Sequence, residues 1–429
     1  MEIIINPPQK KWSKILKRPT QTFDQIEKTV HYIFKDVQLH GEKAVKKYAK
    51  KYDKVTLNEL LVSQIEMDEC IQTVPETLKN AIQLAKSNIE KFHQAQVTKS
   101  VKVETTNGVN CWQEKRAIQK VGLYIPGGTA PLFSTILMLA IPAKLVGCKE
   151  IILCTPSDKS GNINATILYA AKLCGVTKVF KLGGIQAIAA MTFGTKSVPK
   201  VYKIFGPGNQ FVTVAKQVAT TYGLAIDLPA GPSELLVVAD DSANASFVAS
   251  DLLSQAEHGI DSQVILVSTS RKLLDKVAVE IKTQMDNLQR KEIASKAIAN
   301  SKLIYCENHD IALDLIDEYA PEHFIVCTEN EEFYVNNIQN AGSVFIGKYT
   351  PESAGDYASG TNHTLPTNGF AKNYSGVNLD SFLKAITFQK ITKKGLQNIG
   401  PSIEIMADAE GLSAHKNAIT VRLNSINKG

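Results

Sequence analysis

The sequence predicts an α/β fold with two parallel-sheet domains and helical arms at both chain ends. From about residue 117 onward, short β-branched segments alternate with longer segments of helical period. Such alternation is typical of parallel sheets with crossover helices on both faces. The apparent strands are many for one sheet, and glycine- and proline-rich junctions near 126–128 and 229–232 separate them. We therefore expect two α/β domains.

The predicted strands are short runs rich in β-branched and aromatic residues. In chain order they are Val121–Ile125, Ile151–Cys154, Lys178–Lys181, Val201–Phe205, Glu234–Val238, Val264–Val267, Leu303–Tyr305, Phe324–Cys327 and Val344–Ile346. The clearest helical patterns lie between them, at Asn164–Cys174, Gln210–Thr220, Ala243–His258 and Arg271–Leu288. Ser242 is expected to cap the third of these helices, and Gly259 to end it.

Both chain ends look helical, apart from a possible strand pair around Val101–Trp112. They lack the apolar periodicity of a large independent core, so we expect arms that pack on the α/β body or on a neighbouring subunit. The expected boundaries are an N-terminal arm at 1–25, a first α/β domain formed by 26–120 and 235–380, a second at 121–234, and a C-terminal arm at 381–429.

Composition excludes several classes of protein. The 429 residues are 44% hydrophobic and 21% charged, as in ordinary globular proteins. The longest uncharged run, Val121–Ala143, contains three prolines, so we expect no membrane span. The seven cysteines form no C-x-x-C pair, and several lie in apolar runs, which indicates reduced thiols and a cytoplasmic location.

Positive charge is concentrated at the chain start. The net charge is +6, and basic residues outnumber acidic ones within the first 54 residues. The basic cluster there comprises Lys10, Lys11, Lys14, Lys17 and Arg18. Apolar side chains interrupt it, which favours a solvated helical face over an anionic partner. We therefore expect no nucleic-acid partner.

Glycine-rich turns follow several predicted strands, at 126–129, 183–184 and 206–209. A turn between a strand and a helix can present backbone N–H groups to a phosphate. However, Phe211 stands where the G-x-G-x-x-G pattern of Gly206-x-Gly208 requires its third glycine. These turns are thus compatible both with a dinucleotide site and with ordinary tight connections.

Four of the eight histidines lie close to a carboxylate or a carboxamide, which suggests a metal site with acid/base groups. Gln255 and His258 are three residues apart at a predicted helix end, so both can face one point. With Asp356 and His415 they would make an N/O ligand set suited to Zn²⁺. Helix-dipole and turn chemistry explain these residues individually as well.

Glu322 and His323 stand at the entry of a predicted strand. There, both side chains can reach one cleft and divide acid/base work between an imidazole and a carboxylate. The structural alternative is a solvated glutamate beside a packed histidine.

Several motifs along nearly the whole chain together resemble the histidinol dehydrogenase family. They are Asp251–Gly259, Gly206–Gln210, Pro229–Glu234, Ala320–Phe324, Gly355–Thr367 and Glu410–His415. The resemblance implies oxidation of L-histidinol to L-histidine through L-histidinal, with two NAD⁺ and one Zn²⁺ per subunit. It also implies incomplete Rossmann-like domains, of which 121–234 binds the dinucleotide, and a homodimer.

The resemblance further implies a role for each matching residue. Gln255, His258, Asp356 and His415 would hold zinc and contact substrate, with His415 supplied by the C-terminal arm of the partner. His323 would be the base that takes the alcohol proton and would also contact substrate, while Glu322 would activate water for the aldehyde step. The remaining substrate contacts would be Ser233, His363 and Glu410, and the dinucleotide contacts Tyr124, Gln186 and Asn209.

Two other functions stay open from the residues alone. The same ligands together with Glu322 could activate water in a zinc hydrolase, which would need no dinucleotide. Alternatively, the basic N-terminal segment could bind nucleic acid around a structural zinc site. The second alternative leaves the pair Glu322–His323 without a purpose.

Overall fold

A computed structural model describes residues 1–19, 24–127, 131–229 and 231–428. The chain forms two compact units. The first comprises Met1–Gln96 and Ile118–Phe382, and the second Val97–Ala117 and Leu383–Gly429. Gly128 and Thr129, in the first predicted glycine-rich turn, lie outside the described residues.

The strands and helices are numbered in chain order. The strands are β1 (Glu2–Ile5), β2 (Lys102–Thr106), β3 (Val109–Ala117), β4 (Lys120–Tyr124), β5 (Glu150–Thr155), β6 (Lys178–Lys181), β7 (Lys203–Phe205), β8 (Ala225–Ile226), β9 (Glu234–Ala239), β10 (Gln263–Ser268), β11 (Lys302–Tyr305), β12 (His323–Cys327), β13 (Ser343–Ile346) and β14 (Leu383–Ile391). The helices are α1 (Trp12–Ile15), α2 (Asp24–His40), α3 (Glu42–Tyr48), α4 (Gln64–Gln72), α5 (Glu76–Gln94), α6 (Phe133–Leu145), α7 (Ala165–Leu173), α8 (Gly184–Phe193), α9 (Gln210–Thr220), α10 (Ala245–Ala256), α11 (Arg271–Met285), α12 (Lys291–Ala299), α13 (His309–Tyr319), α14 (Glu331–Asn337), α15 (Glu352–Tyr357), α16 (Lys393–Ala409) and α17 (Ser413–Lys428). Among the described residues, every helix is too short or too polar to cross a bilayer.

The first unit contains two parallel sheets. Their strand orders are β6-β5-β4-β7-β8 and β1-β11-β10-β9-β12-β13. Apart from β1, both sheets place their strands in the order third, second, first, fourth, fifth along the chain. This is the order in which a doubly wound Rossmann sheet begins. The structure therefore confirms the predicted α/β class with Rossmann-like parallel sheets.

The central strands of the larger sheet are buried on both faces, as parallel strands between helical layers require. Every residue of β9, β10 and β12 is buried. Alternate residues of β9 face two separate cores: Leu235 and Val237 pack in one, and Leu236 and Val238 in the other.

The N-terminal segment differs from the predicted helical arm at its start. Glu2–Ile5 is an edge strand that pairs in parallel with β11. Its three consecutive isoleucines favour an extended backbone over a helix. Farther on, Trp12 is buried and donates its indole hydrogen to the carbonyl of Pro7 at 2.8 Å.

The second unit contains the antiparallel sheet β14-β3-β2 together with α16 and α17. The strand pair predicted around Val101–Trp112 is confirmed by β2 and β3. The expectation that 381–429 is purely helical is wrong at its beginning, because Leu383–Ile391 pairs along β3. The predicted domain boundaries themselves stay a prediction.

Candidate active site

The candidate site lies where the central strands of the larger sheet begin. β9 and β12 are parallel neighbours, and His323 pairs with Leu235, so Glu234 and Glu322 come together at one edge. A helix that connects parallel strands runs back toward this edge. The C-terminal end of α10 consequently brings Gln255 and His258 to it.

The capping of α10 differs in one detail from the prediction. Asn244, not Ser242, accepts the hydrogen bond from the backbone N–H of Ser246. Ser242 instead donates its hydroxyl to Asp240 at 2.5 Å. The helix ends at Ala256, two residues before the predicted end at His258.

Glu322 and His323 are both buried and both bonded to the peptide groups of Glu234. The backbone N–H of Glu234 donates to Glu322 Oε2 at 2.8 Å. The carbonyl of Glu234 accepts a hydrogen bond from His323 Nδ1 at 3.1 Å. His323 Nε2 lies 3.7 Å from Asp356 Oδ1 and has no hydrogen-bond partner within the described ranges. When the imidazole is neutral, Nδ1 donates and Nε2 therefore carries the free lone pair.

Two of the predicted metal ligands meet beside this pair. Ligand atoms of His258, Glu352 and Asp356 all lie within 4.8 Å of one another. Gln255 is 1% exposed, and neither polar atom of its carboxamide has a hydrogen-bond partner in the described part of the chain. A buried amide without hydrogen-bond partners is energetically costly. This carboxamide therefore fits a residue whose oxygen is a ligand to a cation. The residues present thus fit a cation held by nitrogen and oxygen donors.

Glu352 is a member of the cluster that the sequence did not single out. It is buried on α15, four residues before Asp356, and Ser254 Oγ donates to its Oε2 at 3.3 Å. Its Oε1 lies 3.9 Å from His323 Nδ1. Four-residue spacing on a helix places two side chains on one face, and this spacing was the available signal.

The electrostatics of the cluster favour an added positive charge. Burial is the main reason that the pKa of Glu322 and the pKa of Glu352 rise to about 8. Burial opposes the charged form of His323, yet Glu322, Glu352 and Asp356 together raise its pKa well above the usual range. Burial also opposes ionisation of Asp356, but the nearby imidazoles of His323 and His363 lower its pKa to about 2. The carboxylates of the cluster outnumber the positive charges that could stabilise their ionised forms.

His363 and Ser233 lie near the same edge. His363 Nδ1 donates to the carbonyl of Asp356 at 2.9 Å, so its Nε2 accepts from Thr135 Oγ1 at 3.0 Å. Ser233 lines a cleft of about 340 Å³ together with His258 and Asn209. A second cleft of about 70 Å³ joins Ser233 to Glu322 and His363.

The predicted dinucleotide residues lie in the smaller sheet or at the helices that connect its strands, and each of them makes a hydrogen bond within the protein. Tyr124 is buried, and its hydroxyl accepts a hydrogen bond from the N–H of Gly184 at 3.0 Å. Gln186 is buried and donates to Asp53 Oδ2 at 3.0 Å. Asn209 caps α9 by accepting from the N–H of Val212 at 3.2 Å.

A further cleft of about 500 Å³ opens at the carboxyl ends of β4 and β5. Asp53 and Thr155 line it, and the buried hydroxyl of Thr155 is unpartnered among the residues that are described. Open α/β sheets bind ligands at this end of their strands. Neither residue belongs to a motif that the sequence singled out.

Glu410 and His415 belong to the second unit. Glu410 follows the end of α16, and His415 lies in the first turns of α17. Both side chains are exposed.

Comparison with known proteins identifies the family of the chain. The family model described as histidinol dehydrogenase matches residues 16–423. A histidinol dehydrogenase of Bacteroides thetaiotaomicron is 58% identical over 426 residues, which cover 99% of this chain and 100% of the relative. One of Campylobacter jejuni is 50% identical over 431 residues, with 99% and 100% covered.

A solved structure shares the whole architecture. The crystal structure of histidinol dehydrogenase from Elizabethkingia anophelis superposes with a TM-score of 0.97 at 56% sequence identity. The match covers 100% of this chain and 99% of that one. Sequence and fold agree over the full length, and the chain therefore belongs to the histidinol dehydrogenase family, whose members are oxidoreductases.

Proposed function

We propose that the protein oxidises L-histidinol to L-histidine through L-histidinal, at the end of histidine biosynthesis, with two NAD⁺ consumed per substrate. The observation that supports this most directly is the paired geometry of Glu322 and His323. One buried imidazole and one buried carboxylate are held by the peptide groups of a single residue beside a cluster of cation ligands. Two oxidations need two proton-transfer groups in fixed positions, and this edge supplies both.

His323 acts as the base for the alcohol proton. Its Nδ1–H is committed to the Glu234 carbonyl, which orients the ring and leaves Nε2 to accept a proton. A positioned imidazole contributes about 10²–10⁴-fold to such a transfer. Ser233, His363 and Glu410 would help to orient the bound substrate, which raises the fraction of bound molecules in a reactive geometry.

Glu322 acts at the aldehyde. Its Oε2 accepts from the backbone, and burial raises its pKa to about 8. A carboxylate with a raised pKa is a stronger base than an exposed one, so it can take a proton from the water that hydrates the aldehyde. The proximity of the two groups lets one bound substrate undergo both steps.

Gln255, His258 and Asp356, with His415 of a second subunit, would hold the zinc ion. When bound, zinc would supply a positive centre for the amino and imidazole nitrogens of the substrate, and NAD⁺ would take up the hydride. Tyr124, Gln186 and Asn209 would line the dinucleotide site. The homodimer and the cytoplasmic location stay predictions of the sequence.

Single-turnover NADH formation tests the division of labour. His323→Asn should slow both oxidation steps, since both need a proton acceptor beside the reacting carbon. Glu322→Gln should slow oxidation of the aldehyde more than that of histidinol. Glu332→Gln, an exposed carboxylate on α14, is the matched control. Equal impairment of the first step in both site variants would refute the assignment.

A further inference from the structure

We propose that Arg18 and Glu234 are positioning residues for the catalytic pair. The proposal rests on the assignment of Glu322 and His323 as that pair. Arg18 comes from the basic N-terminal segment, in which the neighbouring Lys17 is exposed to solvent. Arg18 is instead turned inward, and its side chain is only 14% exposed.

The peptide groups of Glu234 touch both catalytic side chains. Its N–H donates to Glu322 Oε2 at 2.8 Å, and its carbonyl accepts from His323 Nδ1 at 3.1 Å. The orientation of residue 234 therefore sets the direction of the carboxylate and the tautomer of the imidazole at the same time. A small rotation at this residue would move both groups.

The side chain of Glu234 is what holds that residue in place. It is 1% exposed, and both carboxylate oxygens are engaged by Arg18, at 2.5 Å from Nε and 2.8 Å from Nη2. The backbone N–H of Asn368 donates to Oε1 at 2.7 Å. A bidentate arginine–carboxylate pair restricts direction as well as distance.

Arg18 also holds the segment that leads to Glu322. Its Nη2 donates to the carbonyl of Tyr319 at 2.7 Å, and its guanidinium lies 4.1 Å from the centre of the Tyr319 ring. Tyr319 is the last residue of α13, and Ala320 follows it with φ of 51°. The guanidinium of Arg18 thus connects the start of β9 with the turn between α13 and Glu322.

A purely stabilising role is the competing explanation. Replacing a buried ion pair by apolar groups is often neutral for stability, so burial alone does not explain this pair. Within the described residues, neither Arg18 nor Glu234 lines the clefts that reach Ser233 and Glu322. Neither side chain is therefore placed to contact a substrate in these clefts directly.

The test measures steady-state kinetics of the full-length, zinc-loaded enzyme with histidinol. Arg18→Met keeps an unbranched stem close to the aliphatic part of arginine and removes the guanidinium fork, and should lower kcat about 10- to 100-fold, the cost of a misplacement of about 1 Å. KM for histidinol should change less than about threefold, because no substrate contact is lost. Arg18→Lys should recover part of the rate, because it keeps the charge. Lys17→Met removes a neighbouring charge and should retain wild-type kinetics.

A double-mutant cycle separates positioning from stability. In the Glu322→Gln background, Arg18→Met should reduce the aldehyde step less than it does in the wild type, because one of the two groups it positions is already gone. Should Arg18→Met prove unstable, Arg18→Met with Glu234→Gln leaves no unpaired buried charge and allows the same cycle.

Two results would overturn the inference. One is a lowered melting temperature of Arg18→Met with unchanged kcat. The other is a cycle in which Arg18→Met slows the aldehyde step by the same factor with and without Glu322→Gln. The proposed function fails separately, if Glu322→Gln and His323→Asn alone keep wild-type rates.

Discussion

Gln255 shows how a single buried residue can point to a ligand. Its carboxamide is buried without a hydrogen-bond partner in the described chain, close in sequence to His258. The sequence indicated the residue from its three-residue spacing to a histidine. It did not single out Glu352, because the four-residue spacing to Asp356 places the two carboxylates on one face only once the short helix α15 is recognised.

Gln255→Leu should raise stability in the absence of zinc and reduce the stabilisation that zinc provides. In chelator, unfolding in urea should require about 1–2 kcal/mol more free energy, because an unsatisfied buried amide is removed at similar volume. With zinc present, the variant should gain less stability than the wild type does, because one ligand is lost. Equal zinc-dependent stabilisation in the two proteins would remove Gln255 from the ligand set.

Asp251, one turn before Gln255, gives a pH-dependent prediction. Burial raises its pKa to about 7, so the folded state favours the protonated form. This contribution is fully present below the pKa of the unfolded chain, near 4, and is lost as pH rises to about 7.

Asp251→Asn should therefore be more stable than the wild type at pH 8, by up to a few kcal/mol, and close to it at pH 4. Urea unfolding at both pH values checks this. An equal difference at the two pH values would mean that folding does not shift the pKa of Asp251. Asp275→Asn is the control, because Asp275 lies on the neighbouring helix α11 and is exposed.

At the scale of elements, the sequence predicted the repeating β/α units and missed the strands that depend on a partner. Every predicted strand from Val121 onward is present, and α9 matches its predicted bounds, Gln210–Thr220. Hydrophobic periodicity fixes such units locally. β1 and β14 become strands because β11 and β3 offer free edges, and no local pattern reveals that.

In the turn between β7 and α9, the backbone of Gly206 lies very close to the backbone of Tyr124. Gly206 has φ of 128°, and a Cβ there would meet the carbonyl oxygen of Tyr124 at 2.1 Å. Gly206→Ala should lower the free energy of unfolding by about 2–4 kcal/mol and raise KM for NAD⁺ more than KM for histidinol.

Gly223→Ala is the matched control for Gly206→Ala. Its φ is also positive, at 79°, but no atom lies within 4 Å of the position that an alanine Cβ would take there. It should cost only about 1–2 kcal/mol of backbone strain and leave both KM values unchanged. If both variants shift KM for NAD⁺ alike, close approach at Gly206 is not the cause.

At the scale of the whole molecule, two sheets repeat one strand order and differ in what they contribute. The larger sheet brings Glu322 and His323 to its amino edge, near the cluster of His258, Glu352 and Asp356, whereas Tyr124 lies in the smaller sheet and Gln186 on the helix α8 that follows β6. The family resemblance rather than any local pattern predicted this division. Strand order is a property of long-range pairing, so the residues alone could only suggest that two sheets exist.

Sharing of sites between subunits is a prediction at this scale. His415→Asn and His323→Asn subunits should each be inactive alone, yet a mixed dimer would contain one intact site if His415 serves the partner. Random mixing should then restore about a quarter of the wild-type activity. Mixed dimers that form, as shown by differential tagging, but stay inactive would exclude shared sites.

The most direct test of the central claim is the number of NADH molecules formed per L-histidinol consumed by the zinc-loaded protein. A four-electron oxidation predicts two, with activity lost in a chelated sample and restored by zinc. One NADH per histidinol would contradict the claim that a single site carries the alcohol through to the acid.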